Sequence, residues 1–220
     1  MNVSKPFRIK VSGPNACFTR PEMKVERVSY EVLTPSAARG ILEAILWKPA
    51  IRWQVLRIDV LNPIRWESVR RNEVGKRAAK PSAAAMRGKV KELPGIFIEK
   101  ERQQRAGLFL RDVAYVIHAR FQLTEHAADG DTVTKFTEMF LRRASRGQCF
   151  HRPYFGCREF AVDFELIPRN ADSPQPIPLT KDLGWMLYDL DYSGAEPMPM
   201  FFHAELKNGV LDLENVEVRS

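Results

Sequence analysis

Four histidines are the side chains best suited to proton transfer near neutral pH: His118, His126, His151 and His203. An imidazole has an unperturbed pKa of about 6.5, so it can accept or donate a proton under physiological conditions. His118 and Arg120 lie two residues apart in an alternating segment, so both side chains should point to one face of a strand. Such a pair could move a proton and hold a phosphate at one place. Alternatively, His118 only packs in the sheet or contacts a nucleic-acid backbone.

A glycine-bearing basic segment, Arg146 to Pro153, contains another histidine. Its residues Arg146, His151 and Arg152 predict a loop that grips phosphate rather than one that performs catalysis. We interpret His126 and His203 as structural. Trp47, Trp53 and Trp66 could stack on unpaired bases, although aromatic residues at the ends of helices and strands are more often core residues.

A third cationic group lies in a stretch with no acidic residue. Between Lys76 and Lys91 the sequence also contains Pro81, Gly88 and a run of alanines, which indicates a loop or splayed hairpin that carries function. The candidates for phosphate contacts in this stretch are Lys76, Arg77, Lys80, Arg87, Lys89 and Lys91. The alternative is a solvated loop.

The charge is distributed unevenly along the chain. Residues 161–220 hold four Lys or Arg against eleven Asp or Glu, a net charge of −7. The total of +7 therefore leaves about +14 on residues 1–160. This asymmetry predicts a polyanion partner, most simply a nucleic acid, for the first part and protein partners for the second. A basic protein with a solvated surface and no such partner is the alternative.

Cysteine count and apolar patterning exclude several classes of protein. Cys17, Cys149 and Cys157 form no C-x-x-C pair, so neither a disulfide framework nor a structural zinc site is indicated. Glu67 and Asp112 lack a metal-ligand spacing, and we predict no metal and no cofactor. There is no signal-peptide core and no apolar run near the roughly 18 residues of a spanning helix. We therefore expect a cytoplasmic protein without membrane contact.

The periodicity of the first half predicts alternating strands and helices. Phe7–Val11 reads as a strand that Gly13-Pro14 ends, and a short strand is plausible at Val28–Val32. Thr34 before Pro35 predicts a capped helix with one apolar face, ended by Pro49. Ile51–Leu61 predicts a long strand, which residues 64–69 continue or pair with.

The second half completes a recognisable order. Leu108–Leu123 predicts a long strand, Asp131 or Thr132 can cap a helix to about Ser145, and residues 160–166 predict a further strand. The order is that of a ferredoxin-like βαββαβ domain, as in RNA-recognition domains, so we predict an α+β fold. We assign residues 1–168 to this domain, with a basic insertion at 71–106, and residues 169–220 to a small acidic antiparallel β-domain.

Three blocks then resemble a known family. They are Thr34-Pro35-Ser36-Ala37-Ala38-Arg39-Gly40-Ile41-Leu42-Glu43-Ala44-Ile45 with Trp47-Lys48-Pro49, Leu110-Arg111-Asp112-Val113-Ala114-Tyr115, and Tyr154-Phe155-Gly156-Cys157-Arg158-Glu159-Phe160. In this order they resemble the type I-C (Dvulg subtype) CRISPR-associated Cascade subunits that process precursor guide RNA. The resemblance covers roughly residues 7–165.

The resemblance implies a metal-independent endoribonuclease that cuts the CRISPR repeat and keeps the 5′ handle within the complex. It implies basic catalytic residues on the strand of His118, which makes His118 the candidate proton-transfer group and Arg120 the phosphate-holding one. The family places a catalytic tyrosine before Trp-Lys-Pro, where this chain has Leu46. Lys48, Tyr30 or Tyr115 could replace that tyrosine, His118 could carry more of the reaction, or cleavage could be weak.

The implied partners are CRISPR repeat RNA, the crRNA 5′ handle and the backbone and large subunits of Cascade, with the isolated protein a monomer. Leu46 leaves open a non-catalytic subunit that caps the 5′ handle. A stand-alone RNA-recognition module unrelated to CRISPR is a second alternative, although residues 116–121 do not resemble the aromatic motif of that class.

Overall fold

The computed structural model describes residues 2–23, 25–89, 95–194 and 196–220. Lys91 of the basic stretch therefore lies outside the described residues. Within the described residues the chain forms nine strands and four helices. In chain order they are β1 Phe7–Ala16, α1 Pro35–Ile45, β2 Ile51–Val60, β3 Trp66–Val74, α2 Ala83–Met86, α3 Ile98–Glu101, β4 Arg102–Leu123, α4 Val133–Ser145, β5 Asp163–Ile167, β6 Lys181–Asp191, β7 Met198–Lys207, β8 Val210–Asp212 and β9 Val218–Arg219.

The strands form a mainly antiparallel sheet with few helices, which places the protein in the α+β class. The strand order is β5-β1-β4-β2-β8-β7-β6, while β3 pairs with β4 and β9 pairs with β7. The C-terminal strands join this sheet because β8 pairs with β2 over Arg57–Asp59. No helix in the described ranges is both long and apolar enough to cross a membrane.

The first helix begins where the sequence predicts. The Thr34 hydroxyl accepts a hydrogen bond from the Ala37 N–H at 3.3 Å, and Pro35 occupies the first helical turn. The predicted end at Pro49 is wrong, because the helix ends at Ile45 and Leu46 is extended (φ −147°, ψ 108°). A residue before proline disfavours helical backbone, so the helix must end before Lys48, and β2 begins at Ile51.

The second predicted helix is confirmed as α4. The Thr132 side chain caps it by accepting a hydrogen bond from the Lys135 N–H, while Asp131 instead binds the Lys135 ammonium. Both α1 and α4 cover one face of the sheet, where an aromatic cluster fills the core. The Phe140 ring lies 4.8 Å from Phe7 and 4.7 Å from Trp53. Trp53 is therefore a core residue rather than a base-stacking one.

Three strand predictions are corrected. Strand β1 continues past Gly13-Pro14 to Ala16, because Pro14 lies beyond the β5 pairing, at an edge where proline is tolerated. Residues 28–32 form no strand, and only Val28 and Ser29 form isolated bridges, because the chain then bends towards the cap of α1. Strand β5 begins at Asp163 rather than near Phe160, whose N–H closes a turn onto Cys157.

Strand β3 and the first half of β4 form a two-stranded arm. Its register runs from Trp66 opposite Leu110 to Val74 opposite Arg102. Between these strands lie α2 and α3, each of four residues and without buried side chains. The basic insertion thus extends from the edge of the sheet as a solvent-exposed element.

The two faces of the main sheet differ in chemistry. Phe7, Ile9 and Val11 of β1 point into the helix-covered core. The intervening positions carry charge, because side chains alternate along a strand. We call the second face the polar face and define it by Arg8, Lys10, Arg57, His118 and Arg120.

Candidate functional site

A histidine–carboxylate pair lies on the polar face. His118 of β4 and Asp59 of β2 approach to 2.8 Å between Nε2 and Oδ2. The His118 side chain is 19% exposed and that of Asp59 is 1% exposed. A bulge between Val55 and Arg57 shifts the register of β2, so that Arg57 lies opposite His118 and Asp59 lies on the same face. Pairing of β2 with β4 therefore creates a site that neither strand contains alone.

Asp59 is held as a carboxylate by its neighbours. Burial favours its neutral form, but hydrogen bonds from His118 and Arg57 outweigh burial and lower the pKa of Asp59. The Arg57 Nε donates to the second carboxylate oxygen at 2.5 Å. A His118 imidazole that donates Nε2–H to Asp59 keeps its lone pair on Nδ1. The pair can therefore present an oriented proton acceptor.

Cations flank this histidine on the polar face. Arg8 of β1 lies directly opposite His118, and its guanidinium donates to the carbonyl oxygens of Arg169 at 3.2 Å and Ala171 at 2.8 Å. Arg120 lies two residues after His118, and its Nε donates to the Gln54 side chain at 2.9 Å. The structure thus places both His118 and Arg120 on one surface suited to a phosphate group.

Sequence reasoning missed Asp59, Arg57 and Arg8 of this group. The available signal was the Arg57-x-Asp59 spacing in the largely buried second half of β2, since charged residues there need partners. That signal could identify an unusual strand, but it could not name His118 as the partner.

The other two catalytic candidates lie elsewhere. Tyr30 is 2% exposed and packs under the Arg20 guanidinium, and burial raises the pKa of its phenol. Lys48 is exposed after α1 and lines a cavity on the helix-covered side. The structure therefore brings together His118 and Arg120 but does not join Tyr30 or Lys48 to them.

The position at which the resemblance implies a tyrosine is apolar and buried. Leu46 is fully buried, and its carbonyl accepts a hydrogen bond from the Trp53 indole N–H at 2.8 Å. Tyr115, the remaining alternative, is also buried, and desolvation raises the pKa of its phenol. The Tyr115 side chain is therefore not accessible from solvent.

The cavity beside Lys48 has a volume of about 940 Å³. Its wall combines α1, the Trp47-Lys48-Pro49 segment, the loop at 150–156 and the end of β6. Glycine is required in that loop, because Gly156 has φ +77° and a Cβ there would lie 2.0 Å from the Cys17 carbonyl oxygen. Close packing of the loop on Cys17 shapes this side of the cavity.

The three residues predicted to bind phosphate in the loop after α4 lie in different surroundings. Arg146 caps α4 and is exposed, while His151 lines the cavity and stacks on Tyr154 with ring centroids 6.1 Å apart. Arg152 forms an exposed ion pair with Asp163. The Phe150 N–H donates to the Ala44 carbonyl at 2.8 Å, which fixes the loop against α1.

The described cations between Lys76 and Lys89, predicted to contact phosphate, are all exposed. The Lys76 ammonium lies 3.5 Å from the Glu101 carboxylate. The exposed set is Lys76, Arg77, Lys80, Arg87 and Lys89. They form a positively charged surface on the arm, separate in sequence from His118.

A cysteine pair is a further feature that the sequence did not reveal. The Cys157 thiol lies 3.5 Å from the Arg27 guanidinium. A hydrogen bond from Cys17 and the charge of Arg27 lower the pKa of Cys157 to about 6. Among residues 2–23, 25–89, 95–194 and 196–220, no group of three or more His, Cys, Asp or Glu side chains could hold a metal ion.

Several known proteins resemble this chain in sequence or in fold. Residues 7–214 match the family model Cas5d, described as CRISPR-associated protein Cas5. A protein of Mannheimia succiniciproducens called CRISPR pre-crRNA endoribonuclease Cas5d is 53% identical, over 94% of each chain. A Thermus thermophilus protein of the same name is 43% identical, over 94% of this chain and 90% of its own. A crystal structure of a CRISPR-associated protein has a TM-score of 0.72 at 23% identity, covering 100% of this chain and 99% of its own.

Proposed function

Because this chain belongs to the Cas5d family of CRISPR-associated proteins, we propose that it is an endoribonuclease that cleaves CRISPR precursor RNA within the repeat. It retains the 5′ handle of the product as a subunit of Cascade and contacts the backbone and large subunits there. The names of the two curated relatives support the reaction. The polar face supports it with an oriented histidine beside cations.

The proposed mechanism is metal-independent. The His118 Nδ1 accepts the proton of a 2′-hydroxyl while the 2′-oxygen attacks the adjacent phosphorus. Arg120 stabilises the negative charge of the phosphorane, and the His118 imidazolium returns the proton to the departing 5′-oxygen. The products are a 2′,3′-cyclic phosphate and a 5′-hydroxyl. Asp59 keeps the imidazole oriented through the hydrogen bond to Nε2.

Two more candidates act, in this proposal, outside the proton-transfer site. Lys48 holds RNA at the cavity, and Tyr30 packs beneath the Arg20 guanidinium. RNA also contacts the phosphate-gripping loop and the basic insertion. The residues assigned to RNA binding are Lys76, Arg77, Lys80, Arg87, Lys89, Lys91, Arg146, His151 and Arg152.

We also propose how the fold serves this function. Strands β1, β2, β4 and β5, in the order β5-β1-β4-β2, with α1 and α4 on one face, form a ferredoxin-like core. Residues 1–168 bind and cut RNA, and the acidic residues 169–220 contact other protein subunits, because like charge repels RNA. The protein acts in the cytoplasm, and the isolated chain is a monomer.

The hydrogen bond between His118 and Asp59 is the single observation that carries the mechanism. The test is cleavage of a labelled cognate repeat RNA in EDTA, comparing the unaltered protein with His118→Ala. We expect a discrete product with the unaltered protein and a loss of at least about a hundredfold in rate for the variant, the usual scale of acid–base catalysis. RNA binding by the variant should remain.

Glu165→Gln, at an exposed position of β5, is a matched control for the loss of one polar strand side chain. Undiminished cleavage by His118→Ala would show that His118 is not catalytic, but the protein would still be a nuclease. Binding without product in either protein would favour the second candidate, a subunit that caps the 5′ handle without cutting. The buried leucine at position 46 is the observation that favours that candidate.

A further inference from the structure

The cavity beside α1 combines aromatic surface with positive charge. Trp47 is 60% exposed, Phe150 89% and Tyr192 68%, and the stacked His151–Tyr154 pair lines the same space. Exposed apolar rings gathered in one place are typical of a binding surface rather than of a solvated one. Trp53, by contrast, is buried in the core.

Two cations of this cavity form no ion pair with a carboxylate of the described residues. Its lining contains two carboxylates, Glu43 and Asp189, and Arg39 bonds to both at 2.7 Å. Lys48 and Arg143 then give the lining a net charge of +1. Arg143 is held in place because its guanidinium donates to the Ile45 carbonyl at 2.9 Å.

Aromatic faces beside cations match unpaired nucleotides. Each base can stack on a ring, and each phosphate can contact a cation, without a requirement for a defined sequence. The volume of about 940 Å³ lies at the upper end of the range of about 300–1,000 Å³ that is usual for ligand sites. A paired helix would offer its stacked bases no access to these rings.

We propose that this cavity binds unpaired nucleotides that flank the repeat hairpin, with Trp47 and Phe150 as stacking platforms and Lys48 and Arg143 as phosphate contacts. This inference rests on the proposed function for the identity of the RNA. It adds a subsite on the helix-covered side of the sheet, whereas His118 lies on the polar face. RNA bound here is positioned by the cavity and is not cut in it.

The test compares two labelled repeat RNAs, a hairpin with a short unpaired flank and the same hairpin with blunt ends. Binding is measured by fluorescence anisotropy in a His118→Ala background, so that cleavage does not alter the RNA. Trp47→Ala should weaken binding of the flanked hairpin about tenfold, within the range for one lost base–aromatic stack, and leave the blunt hairpin unchanged. Trp47→Phe should restore most of the difference.

Trp185→Ala is the matched control, since Trp185 is 47% exposed and packs against Arg219 on the C-terminal strands. Phe150→Ala supplies a second variant whose side chain is too exposed to support folding. Equal weakening of both RNAs, or no weakening of either, would overturn the subsite. If the unaltered protein binds in a flank-dependent way but never cleaves, only the proposed nuclease activity is refuted. If the unaltered protein binds neither RNA, both proposals are refuted.

Discussion

At the scale of single residues, the site depends on one buried carboxylate. Asp59 is 1% exposed, yet it is ionised because His118 and Arg57 donate to its two oxygens. Breaking such a buried network costs more than breaking a surface pair, because the remaining polar groups lose their partner away from water. Asp59 therefore orients His118 and stabilises the sheet through the same contacts.

Asp59→Asn should separate these two effects. The amide replaces the charged acceptor of the His118 Nε2–H by a neutral one, so we expect RNA cleavage to fall by about ten- to a hundredfold, the scale of a lost hydrogen bond to a charged group. Binding of RNA should remain. Cleavage kinetics and anisotropy on the same RNA measure both, with Glu165→Gln as the control. An unchanged cleavage rate would show that Asp59 has no part in orienting His118.

Asp59 should also make stability depend on pH. Its pKa in the folded protein lies below the unfolded value of about 3.9, so its stabilising contribution is complete above that value. The contribution is lost as the pH falls through the folded pKa. Urea unfolding should therefore show the largest difference between the unaltered protein and Asp59→Asn near neutral pH, and a shrinking difference below about pH 4. A difference that grew on acidification would contradict the assignment.

At the scale of elements, glycine is required at two positions for different reasons. Gly147 follows α4 with φ +65° and has open space where a Cβ would lie. Gly156 has a similar φ of +77°, but its Cβ would meet the Cys17 backbone. One position therefore requires only a backbone conformation, and the other also requires close packing.

Alanine at these two positions should separate strain from packing. Gly147→Ala should cost about 1–2 kcal/mol in the free energy of unfolding, the usual cost of left-handed backbone in a non-glycine residue. Gly156→Ala should cost clearly more, because backbone atoms must move apart as well. Urea unfolding measures both. Equal losses would mean that the loop at 150–156 moves freely away from Cys17.

At the scale of the whole molecule, the boundary between the basic and acidic residue ranges does not coincide with a boundary in the sheet. Charge separates a basic residue range 1–160 from an acidic range 161–220. The sheet does not follow that division, since β8 of the acidic range pairs with β2. Core residues such as Phe202 and Leu206 of β7 are fully buried. Removing the acidic range would therefore expose β2 and apolar core, so surface substitutions are the better probe of its partners.

The basic insertion should contribute to RNA affinity through charge alone. Arg87→Ala with Lys89→Ala should reduce the slope of log affinity against log salt by about two, because each lost phosphate contact releases about one counterion fewer. The measurement is anisotropy between about 50 and 200 mM KCl. Lys207→Ala on the acidic C-terminal strands is the control. An unchanged slope would place the insertion outside the RNA interface.

Local signals in the sequence were enough for the main elements. Thr34-Pro35 predicted the start of α1, because a cap and a proline act on the adjacent turn alone. Alternation predicted that His118 and Arg120 share a face, because side chains alternate along any strand. The predictions failed where contacts with distant segments of the chain decide the local structure. Pro14 is tolerated at the sheet edge, and residues 28–32 contain isolated bridges instead of a strand.

The sequence by itself therefore determined the family, the order of the principal elements and the face that His118 occupies. Only the tertiary structure placed Asp59 beside His118, across 59 positions of sequence. It also assembled the cavity from α1, the loop after α4 and the end of β6. Capping and periodicity act over one or two turns of chain, whereas strand pairing and cavity walls depend on contacts between segments whose separation carries no local signature.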